Sequence, residues 1–239
     1  MESILNLQLS LFGSFINIKP KNEIVIQLLT NLKEENFMPG TVDIAMVDAN
    51  TKQISSESRL QLISEDKTLN IVFLQDRIDF NYNLIPNTPQ IKNLQLLVNN
   101  MATLIQKVFA AFASTTGNRL AFNCRFLLDK MEEEKISSFI TRYSNVPSFF
   151  QSSNVAEWNM RLNNPAEIPV KDDAKEICNR IVELGIMQSA IDDSKSIGIA
   201  FDINTLSNNL ELRFNYENLM FFANQNIDFI CTALSEIEG

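Results

Sequence analysis

The feature that most constrains this chain is a strict two-residue alternation of apolar and polar side chains, recurring in short segments along its 239 residues. Leu120, Phe122, Cys124 and Phe126 alternate with Ala121, Asn123 and Arg125, and Leu5, Leu7, Leu9 and Leu11 follow the same rhythm near the start. Successive strand residues point to opposite faces, so the pattern predicts half-buried strands with one greasy side. Further runs of this kind are Val42/Ile44/Met46, Leu60/Leu62, Leu69/Ile71/Phe73 and Ile78/Phe80/Tyr82. After the midpoint come Trp158/Met160/Leu162, a run near 175–189, Ile197/Ile199/Phe201/Ile203 and Leu210/Leu212/Phe214. Gly13 breaks the first run and shifts its phase, which predicts a bulge there.

Helical spacing fills the intervals. Ile24, Val25, Leu28, Leu29 and Leu32 follow Pro20 and Asn22, and Met38-Pro39-Gly40 should end that segment. A long helix is predicted over 91–114 after Pro86 and Pro89, another from Glu132, and a last one over 217–236. Thr115-Thr116-Gly117-Asn118 is a break, after which the order of elements starts again. Both halves read strand, helix, four strands, helix. The expected fold class is therefore α+β: two tandem β-α-β-β-β-β-α units, residues 1–116 and 117–239, forming one curved antiparallel sheet with helices on one face. A short echo points the same way, Phe80-Asn81-Tyr82-Asn83-Leu84 and Phe214-Asn215-Tyr216-Glu217-Asn218-Leu219 each leading toward a long helix.

This order resembles the two-repeat fold of the TATA-binding protein, and the resemblance is one of topology. A second resemblance rests on Arg125-Phe126-Leu127, which matches the arginine-aromatic-aliphatic core of a mid-chain strand in a sporadically distributed family of uncharacterised bacterial proteins. The chain departs from that family at Asn123, where glycine is usual, and at Ala121, where arginine is. The resemblance implies a prokaryotic origin and an association with mobile elements or phage defence. It brings no activity with it.

The sequence holds no histidine, no Gly-rich phosphate loop and three scattered cysteines, Cys124, Cys178 and Cys231. Ser-His and Cys-His nucleophiles are thereby excluded, and paired cysteines at zinc spacing are missing. Asp76, Asp79, Asp192, Asp193 and Asp202 read as turn residues and partners of arginine rather than as metal ligands. The expectation is a protein that is not an enzyme and needs no cofactor. A formal net charge of −9 disfavours nucleic acid and anionic membranes as partners. An odd number of dispersed thiols, with no apolar run of spanning length, predicts a cytoplasmic protein without a membrane segment.

Arginine is distributed differently from lysine. Of eight arginines, Arg59, Arg77, Arg119, Arg125, Arg161, Arg180 and Arg213 fall in or beside predicted strands, and Arg142 alone in a helix. Alternation sends Arg59, Arg77, Arg125, Arg161 and Arg213 away from the apolar side, alongside Gln8, Ser10, Asp43, Gln61, Asn70, Asp79, Asn81, Asn123, Asn159 and Glu211. Two readings compete for this face: a docking surface for a protein partner or a second copy, and a solvated ladder of cross-strand ion pairs. Nucleic-acid binding through the same sheet and a small-ligand pocket between sheet and long helices are the alternatives. Phe149-Phe150, after Pro147 in a Ser/Asn/Gln-rich stretch, complete the candidate docking residues.

Overall fold

Strand β1 (Ser3–Phe12) sits at the middle of the molecule because it is hydrogen-bonded on both sides. It pairs antiparallel with β5 (Arg77–Asn83) and with β6 (Arg119–Leu127). The computed structural model describes residues 3–47, 52, 54–85, 93–112, 115–144, 155–171, 173–189 and 193–238. Within them lie also α1 (Asn22–Asn31), β2 (Phe37–Val47), β3 (Ile54–Ser64), β4 (Leu69–Phe73) and α2 (Leu94–Phe109). The rest is α3 (Glu133–Tyr143), β7 (Asn159–Asn163), β8 (Ala166–Lys171), β9 (Ala174–Gln188), β10 (Lys195–Thr205) and α4 (Tyr216–Glu238). The described strands form one antiparallel sheet in the order β2-β3-β4-β5-β1-β6-β10-β9-β7, with β8 also on β9. Phe149 and Phe150 lie outside the described residues.

Residues directly opposite one another in a ladder share a face, so the register assembles the core. Leu9 stands between Phe80 and Phe122, and Phe122 between Leu9 and Ile203; all four are 0% exposed. Leu7, Leu11, Ile71, Ile78 and Phe201 extend this apolar side. Helix α2 lays Leu97, Val98, Met101, Leu104, Ile105 and Val108 onto it, and α4 adds Leu219, Phe222, Ile227, Ile230 and Leu234. Burying each such side chain stabilises by roughly 1.5–3 kcal/mol. Helix α4 crosses β1, β6 and β8 and packs on α2, so elements of both halves share one core. No described helix is long and apolar enough to cross a membrane.

Caps explain where the long helices begin. The Asn93 side chain accepts from the Leu96 amide at 2.9 Å at the start of α2. Asn215 and Asn218 exchange side-chain and backbone hydrogen bonds at 3.0 Å each, a reciprocal box at the start of α4. The two copies of the Phe-Asn-Tyr echo are thus not equivalent. Asn81 and Asn83 lie inside β5, whereas Asn215 is a helix cap.

Several boundaries differ from those expected. Met38-Pro39-Gly40 belongs to β2, an edge strand where a missing proline donor is tolerated. The irregularity in β1 falls between Ile4 and Asn6, while Gly13 simply follows the strand and donates to the Asp76 carbonyl. Leu210, Leu212 and Phe214 form no strand. β10 already has β6 and β9 as neighbours, so no free edge remains beside it, and only an isolated bridge joins Phe214 to Gly117. Conversely, β8 arises where alternation gave no signal. It continues the register of β7 along β9 past an interruption at Asn164-Pro165. Prolines therefore mark both rims: Pro39 in β2, and Pro165 and Pro169 along the β7–β8 line.

Gly117 fixes how the halves meet. Its amide donates to the Phe214 carbonyl, and its carbonyl accepts from Arg213 and Phe214. A Cβ there would collide with the Phe12 carbonyl oxygen and come within 2.6 Å of Leu11 Cδ1. Gly40, by contrast, has nothing within 4 Å of a built Cβ. Gly117→Ala is expected to cost about 2–4 kcal/mol in urea unfolding, because β1 and the approach to α4 must separate. Gly40→Ala is the control and should stay within roughly 0.5 kcal/mol of the parent.

Candidate functional site

The face opposite the helices is polar because of the same register. Read across the strands, it consists of rows of side chains. One row runs Asn83, Asn6, Arg125, Ala200, Glu183, Arg161 through β5, β1, β6, β10, β9 and β7. The next runs Asn70, Asn81, Gln8, Asn123, Asp202, Ile181, Asn163. On the other flank lie Leu127, Gly198, Gly185 and Asn159, where the Met187 side chain packs over the buried Gly198.

Most polar groups on this face satisfy one another. Asn6 donates to Asn83 at 2.7 Å, Gln61 to Asn70 at 3.0 Å, Asn123 to Gln8 at 3.1 Å and Asn163 to Asn179 at 3.0 Å. Ser10 donates to the buried Asp79 carboxylate at 2.6 Å, which Arg77 also meets through Nε at 2.9 Å. At the far end Phe12 is flanked by Arg77 and Arg119, with guanidinium carbons 5.7 and 4.7 Å from its ring centre. Arg119 is held by the Thr205 carbonyl and the Asn204 side chain.

Arg125 and Arg161 are the exceptions. Both are exposed, and neither makes a hydrogen bond or ion pair with any described residue. Glu183 stands opposite Arg161 in register but accepts from Asn159 Nδ2 at 2.7 Å instead. The Asn123 Oδ1 atom is buried with no donor against it. Two hollows open here. One of about 300 Å³ is lined by Asn6, Gln8, Asn123, Arg125, Arg161 and Asp202 among others. The second, about 250 Å³, lies over Gly185, Gly198 and Ala200 beside Arg125, Asn159 and Met187. The Arg77–Asp79 ion pair joins two residues of one strand, β5, and among the described residues Arg125 and Arg161 take part in no cross-strand pair.

Two of the expected docking arginines are elsewhere. Arg59 has the expected parity but is 0% exposed. It lies past the end of the β3–β4 ladder, under the chain that follows β1, and donates to the carbonyls of Phe73, Phe15 and Leu74 at 3.0, 2.8 and 3.1 Å. Its neighbour Glu57 takes a hydrogen bond from Gln75 and pairs with Lys19, and these contacts hold its carboxyl below the usual range. Arg213 belongs to the irregular segment before α4. It grips Glu176 through two nitrogens at 2.8 and 3.1 Å and donates to the Asn118, Asn209 and Glu211 carbonyls. Arg180 turns toward the helices, 4.4 Å from the Phe229 ring centre, with Nε buried and unpaired. Burial there depresses its pKa. Asp43 has the parity of Leu60 through its partner Ser58, so it too leaves the polar face, as does Glu211. The free pair Arg125–Arg161, with Asn123 and Asn159 beside it, is what remains of the candidate site.

Among the described residues no three His, Cys, Asp or Glu side chains converge as a metal site. Burial drives the Cys124 thiol well above its ordinary pKa and the Cys178 thiol up to about 12, so neither supplies a thiolate near neutrality. No protein-family model matches the chain, and no curated protein matches it significantly.

Removing an arginine should reveal which of these roles it has. Arg59→Met and Arg213→Ala are each expected to lower stability by about 2–4 kcal/mol, since buried carbonyls or a carboxylate lose their donor. Arg125→Ala and Arg161→Ala should stay within roughly 0.5 kcal/mol in the same denaturation assay. Thiol titration of the native protein at pH 8 should modify Cys231, which is exposed, and reach Cys124 and Cys178 only after unfolding.

Proposed function

We propose that this chain is a non-catalytic interaction module, a prokaryotic accessory subunit that docks a protein partner or a second copy through the arginine- and amide-rich side of its sheet. The observation that carries the reading is the pair Arg125 and Arg161, whose guanidinium groups have no partner among the described residues, in a face whose other polar groups are largely matched. Guanidinium is weakly hydrated and planar, which suits it to recognition at an interface. Among the described residues neither group has a partner, which leaves both guanidinium forks available to a group from outside.

The strand order supports reading the two halves as a duplicated unit. In each, the first strand is central, the last lies beside it, and the earlier ones follow outward. The β7–β8 line, one register broken by Pro165, is the departure from that symmetry. This arrangement fits the topology of the TATA-binding protein. Nucleic acid remains the less supported occupant, because Asp79, Glu183 and Asp202 lie among the arginines on the same face.

The test is assembly and capture with charge reversed. Wild-type protein should self-associate in light scattering, or retain a protein that rebinds after purification, and Arg125→Glu and Arg161→Glu should each lose that association. Unchanged assembly and unchanged capture in both variants would defeat the reading.

A further inference from the structure

The docking reading leaves the chemistry of the occupant open, and the row through Arg125 narrows it. We propose that the helix-free face binds an extended, acidic peptide segment of a partner protein, laid across the strands with carboxylates on Arg125 and Arg161. The inference rests on the docking role of this face.

Spacing is the first argument. Arg125 on β6 and Arg161 on β7 occupy one row, separated by Ala200 on β10 and Glu183 on β9. Three strand spacings place their backbones roughly 14 Å apart. An extended peptide repeats its side chains on one side about every 6.8 Å, so residues four apart span nearly the same distance. Two acidic side chains at that separation therefore meet both guanidinium groups at once.

The surface between the arginines adds to this. It presents the small side chain of Ala200 next to Glu183, while Met187 lies over the buried Gly198 and bounds the row on that flank. The two hollows lie on either side of this row and share Arg125, Glu183 and Ala200 in their walls. Glu183, one strand from Arg161, then asks for a donor rather than an acid at the intermediate position of the peptide.

Charge separates this occupant from a nucleic acid. A peptide carries its acids at chosen positions and can place neutral or basic residues over Asp202 and Glu183. A phosphate chain carries charge at every step and meets those carboxylates unavoidably.

The experiment is fluorescence anisotropy with three labelled probes: a nonapeptide of serine and glycine bearing two glutamates four residues apart, its glutamine counterpart, and a short oligothymidylate. The wild-type protein should bind the glutamate peptide saturably at low ionic strength, weaken as salt is added, and ignore the other two. Arg125→Gln and Arg161→Gln should each weaken that binding about tenfold, as loss of a charge-assisted pair does. Unchanged melting temperatures would show that both variants stay folded. Equal affinity for the oligonucleotide or the glutamine peptide, or binding indifferent to both substitutions, overturns the proposal. Should the glutamate peptide fail to bind while partner capture still depends on Arg125 and Arg161, the acidic occupant is wrong and the docking face stands.

Discussion

The pairing of β1 with β6 is the contact on which the rest of the molecule depends. These are the opening strands of the two halves, and they match from Ser3 and Leu127 to Phe12 and Arg119. That ladder turns two sets of strands into one sheet and sets a common parity for them. With Leu7, Leu9 and Leu11 under the helices, Cys124, Phe122 and Leu120 join them, and Asn123 and Arg125 must face the other way. A slip by one residue would put Asn123 and Arg125 beneath α4 and turn Phe122 and Phe126 to the polar side, an arrangement no local repacking repairs. The composition of the polar face is thus a by-product of core registration.

Arginine serves three purposes here, and geometry separates them. Arg59 and Arg213 use the planar fork to collect main-chain carbonyls from segments that no strand or helix satisfies. Arg77 and Arg119 flank Phe12 and are themselves tied to Asp79, Asn204 and the Thr205 carbonyl. Arg125 and Arg161 have neither task. With no acceptor among the described residues, these two side chains contribute little to holding the fold together.

Alternation was enough to place Arg77, Arg125 and Arg161 on one face, because a single strand's parity survives whatever packs around it. It was blind to coverage. Nothing in Ser58-Arg59-Leu60 announces that the chain following β1 will close over the guanidinium, since that depends on where Phe15 and the Phe73–Leu74 turn arrive in space. Leu210, Leu212 and Phe214 misled for a related reason: periodicity describes a candidate strand, but a strand also needs a vacant neighbour. β8 was hidden by Pro165 and Pro169, which read as loop punctuation yet sit comfortably at a rim. Four helices and the antiparallel class were legible throughout, as their signals are local.

The prolines at the rims carry a consequence for how copies of this molecule can meet. A sheet with open flanks invites neighbours to continue its ladder indefinitely, and main-chain donors withheld at Pro39, Pro165 and Pro169 interrupt that invitation on both sides. Sideways growth into ribbons is discouraged where broadside contact is not. At those positions the rim offers an incoming strand no amide to pair with.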